Sequence, residues 1–425
     1  MKRDRMVIAF SLAASLAMAA DQTQVGAGNA IAEQIGHHSP LIKSAFNTLV
    51  SKVEQIPDAR LRTVTLDAIS NPQTCVAHRA NLTDGQKDQI VATLTAQGLV
   101  NPSDSNSIQG GIKAGIFPAL LNDGSACPQL PLDFFAAPGS GNNSHHSYPG
   151  GLSVHEAFNQ QSSLNFAASY RGEYGQLNNN GLPVDRSLAL PSEADVRIDQ
   201  GVILAAPAWH DWAKTMVFQW NADGTEFTEL NFGGSGTNDN FGTPGDSRTG
   251  GHHIISIAEA MARGLSPLMV ITQASAHSAP TLGNEYKVVN WLRAGAILAR
   301  IDPVAKGYLT KDSSGNYRLP PLHTLGDIDL LSQAQSNLLI EYQIHNLSDA
   351  DFVNSIPAIT VSQVVLATIA PQFGYSPSDT ANYNNKFRNV VLAHLSGERI
   401  EMLYGRGGVS AVADEIGKLR EKGII

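Results

Sequence analysis

The sequence predicts a mainly helical protein carrying one small β-hairpin. Two observations predict it. Apolar residues recur at three- and four-residue spacing along most of the chain, with Gly, Pro and Asn punctuating the runs. A single stretch, 216–232, reads instead as two short strands around a glycine turn. No repeat of 20–50 residues and no heptad array interrupts this picture.

In chain order, residues 1–20 read as a secretory signal. Lys2, Arg3 and Arg5 form a positive start broken by Asp4, and Met6 to Met18 is apolar but short for a membrane span. Ala17-Met18-Ala19 is a small-x-small cleavage site, and no stop-transfer pattern follows, which favours cleavage over an uncleaved anchor. The mature chain is then expected in the periplasm or outside the cell, without a membrane span. There the two cysteines, Cys75 and Cys127, are expected to pair, with two buried free thiols as the competing reading.

Residues 21–35 are small and polar and read as a loose lead-in. Leu41, Ile42, Phe46, Leu49, Val50 and Val53 predict a helix that Pro57 ends, and Thr83 caps another with Ile90, Val91, Leu94 and Leu99, stopped at Gly98. Residues 101–144 read as a long irregular connection. Leu152, Phe158, Leu164 and Phe166 place His155 near the start of a helix, and the apolar run Val196 to Trp209 makes His210-Asp211 the end of a buried one. The predicted hairpin pairs Met216–Trp220 with Phe227–Phe232. Seven glycines in 233–251 exclude a regular element there. Helical patterns resume at 254–263 and 285–300, a turn at 311–316 follows, and helices are expected over 324–341, 348–371 and 386–420, with a turn at Gly405-Arg406-Gly407-Gly408.

The 425 residues, 42% hydrophobic and 16% charged, suffice for one elaborated domain or two. The expected layout is the signal at 1–20, an N-terminal helical region at 21–144, a histidine-bearing domain at 145–302 and a C-terminal helical region at 303–425. A formal net charge of −9, more negative still once the signal is removed, argues against long nucleic acids as partners. A small phosphoester remains compatible with it.

The histidines carry the chemistry. His145-His146 and His155, then His210-Asp211-Trp212-Ala213-Lys214, then His252-His253 and His277 form ordered blocks of nitrogen and oxygen ligands without cysteine, the set that a hydrolytic divalent-metal site uses. Each alone is weak: a single buried histidine is more often a satisfied core residue than a ligand. Together, their order resembles the HD-domain superfamily of metal-dependent phosphohydrolases. The stretch from His145 through Tyr148-Pro149-Gly150-Gly151 to His155 is similar to the opening helix of a branch that includes bacterial 3′–5′ exoribonucleases.

The resemblance covers about residues 145–302 and implies a helical HD-type bundle, with the additional N- and C-terminal helices outside it. It implies metal ligands at His155, His210, Asp211, His253, His277 and a closing aspartate, for which Asp302 is the candidate. His252 is the alternative to His253, which the following Ile254-Ile255 favours. Two divalent cations are implied, about 3.5–4 Å apart and activating a hydroxide, with Mn, Fe, Co and Zn all suited. Lys214 is implied near the substrate phosphate. His145 or His146 could protonate a leaving oxygen or contact phosphate, or merely cap a turn. Ala213 and Trp212 stand where the family has a glycine and a smaller residue. The function expected is exported hydrolysis of a small phosphoester or nucleotide. A di-iron oxygenase with the same ligands and a catalytically inactive binding protein of the same fold are the alternatives.

Overall fold

The computed structural model describes residues 26–141, 143–181, 196–232, 234, 245–322 and 339–425. The expected signal at 1–20, most of the glycine-dense stretch and the helix expected over 324–341 (up to 338) lie outside the described residues.

The fold is mainly helical, as the periodicity predicts. The lead-in is more ordered than expected, since α1 spans Asn29–His38. Its first residue is held from inside the protein: the Asn29 amide donates to Gln219 Oε1 (2.7 Å) and to the Pro131 carbonyl (3.0 Å). Three capped helices follow: α2 (Pro40–Val53) behind Ser39, α3 (Ala59–Ser70) behind Asp58, and α4 (Asp84–Ala96) behind Thr83. Thr83 and Gln86 complete a reciprocal capping box, which satisfies two of the amides a helix start leaves unpaired. The connection over 101–144 is largely irregular, with a short helix α5 (Gly111–Ile116) inside it.

The central helices are α6 (Gly151–Tyr174), α7 (Gln200–His210), a single turn α8 (Lys214–Val217), α9 (Gly251–Ala262), α10 (Pro267–Ala274) and α11 (Glu285–Ala299). All of α7 is buried, so its apolar composition reflects a central position rather than one inward face. The hairpin expected over 216–232 is a correction. That stretch begins as α8 and keeps a single bridge, Trp220 to Glu226, around the Asn221–Thr225 turn. The end of the expected second strand does pair, but with a different partner: β1 (Asn231–Phe232) pairs antiparallel with β2 (Thr249–Gly250), and β3 (Thr310–Lys311) with β4 (Tyr317–Arg318) across the turn expected at 311–316. Met216 and Val217 are buried together, so tertiary burial removes the face alternation that a strand needs.

The C-terminal part comprises α12 (Ile340–Ser348), α13 (Phe352–Ile369), α14 (Thr380–Tyr383), α15 (Asn389–Leu395) and α16 (Gly397–Glu421). The last is broken at Gly407 and Gly408, the latter at φ 64°, where the glycine cluster predicts a turn. By length and composition alone the run Ile340–Phe373 could cross a membrane, with mean hydropathy 1.6. A 3-10 turn at Asp349–Asp351 interrupts it, and one side of it packs inward: α12 contributes Tyr342 and Ile344 to the main core, while α13, α15 and α16 form a second core with Ile42 and Tyr148. Cys75 and Cys127 are disulfide-bonded, Cα to Cα 4.9 Å, tying the end of α3 to the irregular connection.

Candidate metal centre

Five helices bring polar residues to one point. His155 lies in the second turn of α6, whose start is set by Gly150 at φ 79°. A side chain there would be strained, and its Cβ would fall 2.4 Å from Ile42 of α2, so glycine lets α6 approach that helix. His210 ends α7 and Asp211 is its cap. His252 opens α9, His277 follows α10, and Asp349 and Asp351 follow α12.

His155 Nε2 lies 3.4 Å from Asp211 Oδ2 and 3.2 Å from Asp349 Oδ1. His210 Nε2 lies 3.4 Å from Asp211 Oδ1 and 3.2 Å from the same Asp349 oxygen. Across Asp211, His252 Nε2 is 3.2 Å from Oδ1. Two ligand sets therefore share one carboxylate: His155, Glu156, His210 and Asp211 on one side, Asp211, His252 and His277 on the other, the atoms of each within 4.8 Å of one another. His155, Asp349 and Asp351 form a further set against the first.

The outer nitrogens of His210, His252 and His277 are already engaged, which decides what their inner ones offer. His210 Nδ1–H donates to the Pro207 carbonyl (3.1 Å) and His252 Nδ1–H to Glu229 Oε2 (2.8 Å). His155 Nδ1 faces Asp351 Oδ1 at 3.0 Å. His277 Nδ1 pairs with the Thr249 hydroxyl (2.7 Å). Against burial, the neighbouring carboxylates push His155 well up, His210 up to about 9 and His252 up, so Nε2 holds a proton that a bound metal would displace, with Nδ1 engaged as carboxylates and carbonyls orient metal-ligating histidines. His210 Nε2, His252 Nε2 and Asp211 Oδ1 are buried with no hydrogen-bond partner. Buried polar atoms are nearly always paired, so three orphans converging on one point fit a cation. These buried clusters could hold metal ions.

Charge supports the fit. Burial pushes the Asp211 and Asp349 carboxyls up, but neighbouring cations outweigh it: His210 and Lys214 hold Asp211, and His210 and His155 hold Asp349, well below the carboxylate range. Both are therefore anions. Glu156 takes the opposite course, pushed up to about 8 by burial against the opposing pull of His210 and His155. The site thus keeps two firm carboxylates and one that holds a proton in this state.

The structure gathers His155, His210, Asp211 and His277 of the predicted ligands and leaves out two. His253 is a correction: its Nε2–H donates to the Ala274 carbonyl (3.1 Å), its ring stacks on His277 at 4.2 Å, and His252 faces Asp211 in its place. Successive helix residues are turned by about 100°, so only one of two adjacent histidines can face the cage. Asp302 is the other correction. It is exposed, and its Oδ1 accepts from the amides of Val304 (2.8 Å) and Ala305 (3.1 Å), as a turn-capping aspartate does. Asp349 is the aspartate beside the histidines, so the cage reaches past residue 302 into the C-terminal region. Sequence reasoning also missed Glu156, Asp351, Glu229 and His345. His345 is buried with both ring nitrogens unpartnered, its ring 4.9 Å from His210. The available signal was His345-x-x-x-Asp349, a spacing that puts both on one helix face.

Lys214 is buried and donates to Asp211 Oδ2 and to the Gly139 carbonyl. Trp212 points away from the cage: its indole donates to the Ala68 carbonyl (2.8 Å) and lies under Arg263. Its bulk serves the contact with α3 and does not obstruct the ligands. The Ala213 amide donates to Ser256 Oγ (2.9 Å), joining the His-Asp segment to α9. His146 is buried near His155, with Nε2 3.4 Å from Glu398 Oε1. A cavity of about 880 Å³ lined by Ile31, His38, Lys386 and Ile424 contains none of these groups. No family model, curated protein or solved structure matches the chain.

Proposed function

We propose that this protein is an exported metal-dependent phosphohydrolase of the HD type, acting on a small phosphomonoester, phosphodiester or nucleotide. The observation that carries the reading is Asp211, a buried carboxylate with Oδ1 unpartnered and histidine Nε2 atoms on both sides. His155, His210, Asp211 and Asp349 would hold one divalent cation; Asp211, His252 and His277 would hold a second. That is the chain order the resemblance implies, with His252 and Asp349 in the places given to His253 and Asp302. The donor set suits Mn, Fe, Co or Zn. Bound there, such ions supply Lewis acidity toward phosphoryl oxygens and acidify water enough to serve as a nucleophile near neutral pH.

The chain's own residues do the rest. Lys214 places a cation beside Asp211, where it offsets negative charge on a phosphoryl group. Glu229 and the Pro207 carbonyl hold His252 and His210 in register, so neither ring has to reorganise. The buried α7 keeps water from the back of the site, while His277 is its exposed member and marks the side from which substrate enters. The Cys75–Cys127 bond accords with an oxidising compartment, as the signal-like start does.

Elemental analysis of the mature protein and of Asp211→Ala, paired with phosphate release from a phosphoester panel under air and under nitrogen, tests the proposal. Bound metal lost in the variant and oxygen-independent phosphate release are expected. Oxygen-dependent turnover without phosphate release would replace hydrolysis by the di-iron oxygenase reading. Full metal content with no turnover on any substrate would leave a binding protein.

A further inference from the structure

A second group of unpartnered polar atoms lies on the far side of His155, where the loop before α6 meets Asp351 and the first turn of α16. His145 and His146 each bring one ring nitrogen within 4.8 Å of the other's and of a His155 nitrogen. His145 Nδ1, His146 Nδ1, Asp351 Oδ1 and Glu398 Oε1 are all buried without a hydrogen-bond partner. His146 is only 3% exposed, and Glu398 Oε1 lies 3.4 Å from its Nε2.

The backbone is built around this placement. His146 adopts φ 51°, a left-handed conformation that a residue with a Cβ enters at a cost of about 1–2 kcal/mol. Its carbonyl is held there by the amides of Gly139 (2.9 Å) and Tyr148 (2.8 Å). Gly139 and Gly151 must both be glycine: a Cβ on Gly139 would lie 2.5 Å from His146 Cβ, and one on Gly151 1.9 Å from the His146 oxygen. Such strain persists only where the surroundings over-determine it, and it concentrates at functional sites.

What could satisfy these atoms follows from their chemistry. Two imidazoles present unpartnered ring nitrogens, and the Asp351 and Glu398 carboxylates lie beside them with an unpartnered oxygen each. An anion is repelled by that pair of carboxylates, and water would leave four ligand atoms serving one or two hydrogen bonds. We propose that His145 and His146, backed by Glu398 and Asp351, form a third cation site, beside the two sets that share Asp211 and joined to the first of them through His155, and that it takes a divalent first-row metal. His146 is then a ligand rather than the proton donor or phosphate contact that its sequence position suggests. The site does not depend on the hydrolytic reading.

The experiment counts zinc per chain by elemental analysis of the mature protein after loading with Zn²⁺ and gel filtration. Three ions are expected in the wild type, two in His145→Ala/His146→Ala, and one in Asp211→Ala. Glu398→Gln, at the rim and less disruptive to the loop, is expected to weaken one ion in a zinc titration by about 10–100-fold, the usual effect of losing an outer partner. A double variant that keeps the wild-type count, or an Asp211→Ala protein that holds none, overturns the third site. If the double variant does not fold, an unchanged titration in Glu398→Gln overturns it instead. Should Asp211→Ala retain the full count while the double variant loses one ion, the shared-carboxylate reading fails and the third site stands.

Discussion

His252 and Glu259 lie seven residues apart on α9, both removed from water, and their surroundings differ in whether their polar atoms are matched. Glu259 is saturated: Oε1 accepts from the Ala77 amide (2.8 Å) and Arg263 Nε (2.7 Å), and Oε2 from the His78 amide (3.0 Å) and His78 Nδ1 (2.7 Å). Arg263 continues to Asp67, to Thr74 and to the Cys75 carbonyl, so one network ties α9, α3 and the disulfide together. His78 is neutral, since burial holds it below its ordinary value, and Arg263 supplies the countercharge. At the other end of α9, His252 is fixed on its outer nitrogen by Glu229, and its inner nitrogen has no partner. A closed network is architecture. A network with its inner atoms open can hold a ligand, and burial or charge alone does not tell the two apart.

The largest effect that sharpens this contrast is expected on the open side. Asp211→Ala should remove the two ions that share its carboxylate and lower phosphoester turnover on the order of 10³-fold or more, with the helical circular-dichroism signal retained. An active, metal-replete variant would remove the contrast altogether. On the closed side, Glu259→Ala should destabilise the fold by about 3–5 kcal/mol in denaturant melts, because it breaks the Arg263 ion pair and leaves the buried His78 ring and the Ala77 and His78 amides without their acceptor, while leaving the metal count of the folded protein unchanged.

The closed network also sets an acid limit. Burial would push Glu259 up, but the donors from His78 and Arg263 bring it down to about 2 from an ordinary 4.5. A folded-state value below the unfolded one means stability that is complete above about pH 4.5 and lost as pH falls toward about 2. The loss should be of the order of 3 kcal/mol. Melting temperatures across that interval should fall more steeply for the wild type than for Glu259→Gln; parallel curves would mean that Glu259 is not the group responsible.

Smaller effects separate the neighbours that sequence alone left ambiguous. His252→Ala should lower the affinity for one of the two ions by about 10–100-fold or more, whereas His253→Ala should retain both, read by metal titration of each. Asp302→Asn should change neither metal content nor stability beyond about 0.5 kcal/mol, the usual range for an exposed position. A metal deficit in that variant would return Asp302 to the site.

Local chemistry made much of the fold legible. Ser and Thr before apolar periods, Pro57 and the Gly407-Gly408 pair are physical stops and starts, and they lie where the structure begins, ends or breaks its helices. The strand signal failed at its start, 216–217, because alternation argues for a strand only when one face meets solvent, and Met216 and Val217 are both enclosed. Within the site, His155, His210, Asp211 and His277 could be read from their blocks. Asp349 left only the His345-x-x-x-Asp349 spacing as a trace, and only the packing of α12 against α6 and α7 makes it a neighbour of His155 and His210.

The chain by itself determined the helical class, the caps and the supply of imidazoles and carboxylates, because these depend on residue type and on spacings shorter than a few helical turns. Only the tertiary structure decided between His252 and His253, replaced Asp302 by Asp349, and turned Trp212 away from the ligands. Those choices depend on which way a side chain points from a packed helix. Rotation of about 100° per residue and contacts from distant segments fix that direction, and no local pattern records it.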